Sequence, residues 1–327
     1  MLGKYKIVSP LGSGGFAAVY LARDTWIDKD VALKVPHKQN LNFSELLREP
    51  RLLAALDHPN IVSIITAEKE DNVFFIVMEY VEGDTLDDIM VKVGALDLSR
   101  FVNYTTQIGH AVDHAHRQGV IHRDLRPPNM LVSDSGILKV ADFGTSRFLE
   151  IAAHGTTVIG SPAYMAPEQF EGKAVFASDL YSLGITMYQM LTGVLPYETP
   201  TPSDFEKLMR GDLVRPPRLR NSDIPKSIND IVMKALAPEL SIRYQRTSDL
   251  LNDLDQTYSV PTKHKPTTSR RDDQCESQTG NLQTGTFKRR PLEPTPSAGR
   301  FCWQCHKPLH ARADQCPFCN EMQQDQD

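Results

Sequence analysis

One stretch limits what this chain can fold into more than any other. Val120-Ile121-His122-Arg123-Asp124-Leu125-Arg126-Pro127-Pro128-Asn129 is followed, nine residues on, by Lys139-Val140-Ala141-Asp142-Phe143-Gly144. Two carboxylates and an amide thus flank a short hairpin, and they offer a base together with hard oxygen ligands of the kind Mg²⁺ accepts. Such a set is what phosphoryl transfer to a hydroxyl requires, and it needs a rigid support. The support is written just upstream, where Phe101, Tyr104, Ile108, Val112 and Ala115 recur at helical spacing and Gly119 ends the run.

Towards the N-terminus the period changes. Tyr5-Lys6-Ile7-Val8, Ala18-Val19-Tyr20-Leu21 and Val31-Ala32-Leu33-Lys34-Val35 alternate around glycine turns, which predicts an antiparallel sheet over 5–36. Helical spacing follows over 44–56, then strands at 61–67 and 73–81 with Asp71-Asn72 as the turn. From Leu86 the pattern is helical again. The expected class is α+β: a β-rich lobe over about 1–80, then a helical lobe over about 84–258. Within the first lobe, Leu11-Gly12-Ser13-Gly14-Gly15 lies between two strands, and its glycines would let backbone N–H groups close over phosphates where a Cβ would collide. Lys34 stands fifteen residues beyond Val19 on an apolar strand, where an ammonium needs an anion. Glu49, on the following predicted helix, is the candidate partner. Taken singly, the loop also reads as a ligand-free hairpin, and Lys34 as a surface lysine whose stem lies along apolar neighbours.

The order of these segments resembles the protein kinase family. The glycine-rich loop, the Val-Ala-Leu-Lys strand, the catalytic loop and Asp-Phe-Gly are followed by Gly160-Ser161-Pro162-Ala163-Tyr164-Met165-Ala166-Pro167-Glu168, by Asp179-Leu180-Tyr181-Ser182-Leu183-Gly184, and by Arg243. The resemblance covers roughly 5–257. Its flavour is that of bacterial eukaryotic-like (Hanks-type) serine/threonine kinases, through His58-Pro59-Asn60-Ile61-Val62 and Tyr164-Met165-Ala166-Pro167-Glu168-Gln169. It implies a two-lobed fold and ATP with Mg²⁺ as cofactors. Asp124 would orient the acceptor hydroxyl, Asn129 and Asp142 would hold Mg²⁺, and Lys34, held by Glu49, would position the α and β phosphates. Arg126 stands where serine/threonine kinases usually carry a lysine, a change that is not neutral. The nucleotide site would comprise Leu11, Gly12, Ser13, Gly14, Gly15, Val19, Ala32 and Lys34, with Met78 behind the adenine, the backbone of Glu79 and Val81 bonded to it, and Asp84 near the ribose. Arg243 would pair with Glu168, and the Ser161 hydroxyl would reach Asp124 and Arg126. Two further departures are Ala17 for the third loop glycine and Pro50 directly after Glu49, which implies a helix that starts late or kinks. Thr156 or Thr157 is an expected autophosphorylation site, its phosphate drawing in Arg123.

Beyond about residue 258 the composition shifts. Residues 259–300 are rich in Pro, Thr, Ser, Gln and Arg and predict a disordered linker. Then come Cys302-Trp303-Gln304-Cys305 and Cys316-Pro317-Phe318-Cys319, ten residues apart, spaced to close a tetrahedral structural Zn²⁺ site over 301–320 and resembling a small zinc ribbon. Redox chemistry is disfavoured without a βαβ setting. Trp303 and Phe318 would present an apolar face to a protein partner. Lys288-Arg289-Arg290 reads as solvated linker, and a net charge of −5 argues against a nucleic-acid partner. Cys275 has no evident disulfide partner. No apolar run nears the ~20 residues of a membrane span and the N-terminus lacks a secretory pattern, so a soluble, cytoplasmic protein is expected; the kinase resemblance implies serine- or threonine-bearing protein substrates. The alternative is a pseudokinase scaffold acting through its zinc ribbon.

Overall fold

The computed structural model describes residues 1–15, 17–37, 39, 50, 53–143, 161–258, 300–301 and 308–309. Outside them lie Glu49, Gly144, Thr156, Thr157, the four cysteines of the proposed zinc site, nearly all of the predicted linker, and most of the helix predicted over 44–56. The chain divides into two compact units, Met1–Lys263 and His264–Asp327. In the second, the described residues form two short antiparallel strands, Arg300–Phe301 and Pro308–Leu309.

The first unit opens with strands β1 (Tyr5–Ser13), β2 (Ala17–Asp24), β3 (Lys29–Pro36), β4 (Ile64–Glu70) and β5 (Val73–Glu79), which form one antiparallel sheet in the order β1-β2-β3-β5-β4. Asp71 and Asn72 take φ of 46° and 66°, the paired left-handed conformation of a two-residue hairpin, as that dipeptide predicts. Strand alternation sorts the sheet's faces. Tyr5, Ala22, Val31, Leu33, Phe75 and Val77 pack into a small core on one face. The registers Val19 opposite Lys34 and Ala32 opposite Met78 put these four side chains together on the other.

The predicted strand over 61–67 begins later, at Ile64. The reason is that Ile61 leaves the sheet: it bridges Val140 and is buried in the helical lobe's core, while Val62 N–H donates to Val140 O at 3.0 Å. One apolar run therefore serves both lobes. β5 stops at Glu79, two residues short of prediction. Pro50 is helical and its carbonyl accepts Ala54 N–H at 2.8 Å, so the proline does not end its helix.

The chain enters the second lobe through β6 (Gly83–Thr85), where Gly83 has φ of 148° and an added Cβ would lie 2.1 Å from Val132 O, so only glycine fits. Thr85 then caps α1 (Leu86–Val93) in a capping box with Asp88. Helix α2 (Leu98–Arg117) buries the predicted stripe of Phe101, Tyr104, Ile108, Val112 and Ala115. After it come β7 (Met130–Ser133) and β8 (Leu138–Val140), paired in the order β6-β7-β8. Helix α3 (Phe176–Thr192) is buried along nearly its whole length and is the lobe's axis, with α4 (Phe205–Arg210), α5 (Lys226–Ala235) and α6 (Thr247–Tyr258) around it. Among the described residues no helix is long and apolar enough to cross a membrane.

Candidate active site

The strand face bearing Lys34 looks towards the loop between α2 and β7 and the segment after β8. The Lys34 ammonium lies 2.6 Å from Asp142 Oδ1, joining residues 108 positions apart, with side chains 12% and 31% exposed. Burial disfavours the Asp142 carboxylate, but the charge and hydrogen bond of Lys34, with His122 and Arg126 adding, hold it below the usual carboxylate range. Lys34 is thus paired with Asp142, while its predicted partner Glu49 lies outside the described residues.

Asp124, Arg126 and Asn129 are gathered on one loop. Asn129 Nδ2 donates to Asp124 O at 2.8 Å and to Asp124 Oδ2 at 3.2 Å, and Arg126 Nε donates to the same Oδ2 at 3.3 Å. Ala141 N–H donates to Asn129 O at 2.8 Å, which ties the loop to the residue before Asp142. The predicted bond from Ser161 to Asp124 or Arg126 does not form. Ser161 instead opens a short 3₁₀ turn, with its carbonyl accepting Tyr164 N–H at 2.8 Å.

Two residues beside this set hold left-handed backbone, Arg123 at φ 70° and Asp142 at φ 62°. Non-glycine residues adopt it at a cost of about 1–2 kcal/mol, so the surroundings must enforce it. At Arg123 the enforcer is Asp179, fully buried on α3. Its Oδ2 accepts His122 N–H and its Oδ1 accepts Arg123 N–H, both at 2.8 Å, while Gln169 Nε2 donates to Arg123 O at 3.0 Å. His116 Nε2 lies 2.8 Å from Asp179 Oδ2. Burial alone would raise the Asp179 pKa; the His116 bond and charge, the charge of His122 and the Arg123 N–H outweigh it, and the carboxyl titrates below its ordinary range. At Asp142, the next residue, Phe143, is buried with its ring 4.5 Å from that of His122, whose Nε2 is 2.9 Å from Ala141 O. Sequence reasoning placed Asp179 on a supporting helix and quoted Gln169 within a motif without foreseeing its bond to Arg123, but it missed His116, a polar residue with no motif to mark it.

Glu168 and Arg243 pair as expected, through two bonds of 2.7 and 3.1 Å. The guanidinium also donates to the carbonyls of Ala177, Ala237 and Pro238, and Ser178 Oγ donates to Glu168 at 2.6 Å.

At the proposed nucleotide end, Gly12 pairs with Val19, and His37 Nε2 lies 2.9 Å from Gly14 O at the loop's tip. Leu11 is half exposed and Val81 partly buried. Asp84 lies on β6, where its carboxylate meets Lys92 at 2.7 Å. Among the described residues, a Cβ added to Gly12, Gly14 or Gly15 would meet nothing within 4 Å, and none of the three has a positive φ. Packing against the described residues therefore does not demand glycine there. Among the described residues no three His, Cys, Asp or Glu side chains cluster to hold a metal. The amide of Asn129 lies instead against Asp124, and Asp142 directly follows Ala141, whose N–H is bonded to Asn129 O; an amide and a carboxylate brought near in this way are the hard oxygen donors that Mg²⁺ accepts beside phosphate oxygens.

Residues 5–254 match the protein kinase domain family. The chain is 36% identical over 273 residues to a probable serine/threonine-protein kinase of Clostridium perfringens, covering 80% of this chain and 40% of that protein. It is 37% identical over 260 residues to serine/threonine-protein kinase PrkC of Bacillus subtilis, covering 77% and 40%. To serine/threonine-protein kinase PknB of Mycobacterium tuberculosis it is 34% identical over 312 residues, covering 89% and 50%. It spans half or less of the length of each. With its sheet lobe, its helical lobe and this site between them, the chain belongs to the protein kinase domain family, in the company of serine/threonine-protein kinases.

Proposed function

We propose that this chain transfers the γ-phosphoryl group of MgATP to serine or threonine hydroxyls of proteins. The observation that carries the reading is the convergence of Lys34 and Asp142 from opposite lobes at 2.6 Å, beside a loop that holds Asp124, Arg126 and Asn129 together. Lys34 would neutralise phosphate oxygens. Asp142 and Asn129 would hold Mg²⁺, which when bound bridges the phosphates and spreads their charge. Asp124 would accept the acceptor's proton, held towards it by Asn129 and Arg126. That no described residue crowds Gly12, Gly14 or Gly15 supports the same reading, since a phosphate chain closing on their N–H groups would itself need side chains to be absent there. Met78, Ala32 and Val19 would line the adenine, with the backbone of Glu79 and Val81 bonded to it.

Transfer of radiolabelled phosphate from MgATP to a general protein acceptor tests this. The native chain should label it, mainly on serine and threonine. Asp142→Asn and Lys34→Met should abolish labelling, and Asp124→Asn should lower kcat by about two to four orders of magnitude. A folded native chain that labels nothing, or labels mainly tyrosine, overturns the reading. In the same assay a Thr156→Ala, Thr157→Ala double variant should lose activation, because the proposal extends to autophosphorylation at these residues; unchanged activity would remove that extension.

Near the C-terminus, Cys302, Cys305, Cys316 and Cys319 are proposed to hold one structural Zn²⁺, and the ribbon to dock a protein partner. The first pair falls in sequence between the paired strands Arg300–Phe301 and Pro308–Leu309, a setting that supports the reading. The purified chain should contain one equivalent of zinc, lost in a Cys302→Ser, Cys316→Ser variant; zinc-free native protein would refute it.

A further inference from the structure

The strand that leads to Asp142 is tied to the far end of the site by an ion pair. Lys139 sits in the middle of β8. Its neighbours Leu138 and Val140 are fully buried, so strand alternation turns Lys139 to the other face. There its ammonium meets Glu79 Oε1 at 2.9 Å, with the two side chains 20% and 25% exposed. Glu79 ends β5, at the backbone proposed to meet adenine. The same Oε1 accepts Ser63 N–H at 2.8 Å, and Glu79 N–H donates to Ser63 O at 3.0 Å.

The segment 60–63 is in turn joined to β8. Val62 N–H donates to Val140 O at 3.0 Å, Val140 N–H to Asn60 O at 2.8 Å, and Asn60 Nδ2 to Leu138 O at 2.8 Å. The end of β5, residues 60–63 and β8 therefore close a triangle. Two of its sides consist of backbone bonds reinforced by single side chains. The third, between β8 and β5, is the Lys139–Glu79 pair.

We propose that Lys139 is a positioning residue for the nucleotide. By holding Glu79 it fixes the span between the adenine-facing backbone of β5 and the phosphate-facing carboxylate of Asp142, so that one rigid ligand meets both ends at once. The inference rests on the kinase reading. Lys139 touches no reacting group, so its effect belongs to nucleotide affinity more than to turnover.

The test uses the full chain with ATP as the varied substrate, alongside direct binding of a fluorescent ATP analogue. Lys139→Met and Glu79→Gln should each raise the KM for ATP and the analogue's Kd about fivefold, the scale of a partly exposed ion pair, with kcat less affected. The double variant should be no worse than either single, and Lys139→Arg should restore tight binding. Glu79→Gln keeps an acceptor for Ser63 and removes only the charge, so it decides the matter if Lys139→Met folds poorly. Unshifted affinity in an active chain, or additive losses in the double variant, overturns the tie alone. A native chain that binds the analogue, weakens with Lys139→Met and transfers no phosphate upholds the tie and overturns the kinase reading. No binding at all overturns both.

Discussion

At the scale of single residues, the site depends on a buried carboxylate that touches no substrate. Asp179 receives two backbone N–H groups and faces His116, and so holds Arg123 in the left-handed turn that presents Asp124. Its titration sets a pH dependence whose sign follows from linkage. The folded-state pKa lies below the unfolded value, so at low pH the unfolded chain binds more protons. The stabilisation is complete above the ordinary carboxylate range near pH ~4 and is lost as pH falls through the folded-state value. Urea unfolding should therefore show the native midpoint dropping between about pH 5 and 3. Asp179→Asn, weaker at neutral pH by about 3 kcal/mol, should lose less over that interval. Equal losses in both would assign the acid sensitivity to other groups.

Among elements, α2 and α6 approach closely at a glycine. A Cβ on Gly109 would sit 2.5 Å from Leu251 Cδ2, so the missing side chain sets how near the two helices lie. Gly109→Val should destabilise by about 1–3 kcal/mol, and Leu251→Ala in the same chain should recover part of it, read by thermal melts. An unshifted melt would mean that α6 moves freely. This contact also marks where sequence stops being legible. The stripe on α2 and the Asp71-Asn72 hairpin could be read from local period and turn chemistry, because each is decided within a few residues. The true start of β4 could not, since Ile61 and Val62 satisfy strand periodicity while their partner, Val140, comes from the other lobe. The site shows the same division. Asp124, Asn129 and Asp142 stand out as chemistry in a short span, whereas the Lys34–Asp142 pair spans 108 positions, and His116 lies on a helix face whose apolar pattern it does not share.

On the scale of the whole lobe pair, a ligand that bridges the sheet face and the β7–β8 loops stabilises the fold by mass action, by about 2.7 kcal/mol at one hundred times its Kd. MgATP should raise the melting temperature of the native chain and leave that of Lys34→Met nearly unmoved; equal shifts would place the nucleotide elsewhere. The pairing of Lys34 with Asp142 has a consequence for how that ligand arrives. Lys34 and Asp142 lie as counter-ions, so a cation placed at Asp142 alone would compete with the ammonium, and a bare triphosphate placed at Lys34 alone would face the Asp142 carboxylate. On the kinase reading, MgATP would bring both counterparts at once, phosphate for the ammonium and metal for the carboxylate, and so would be favoured over either part alone.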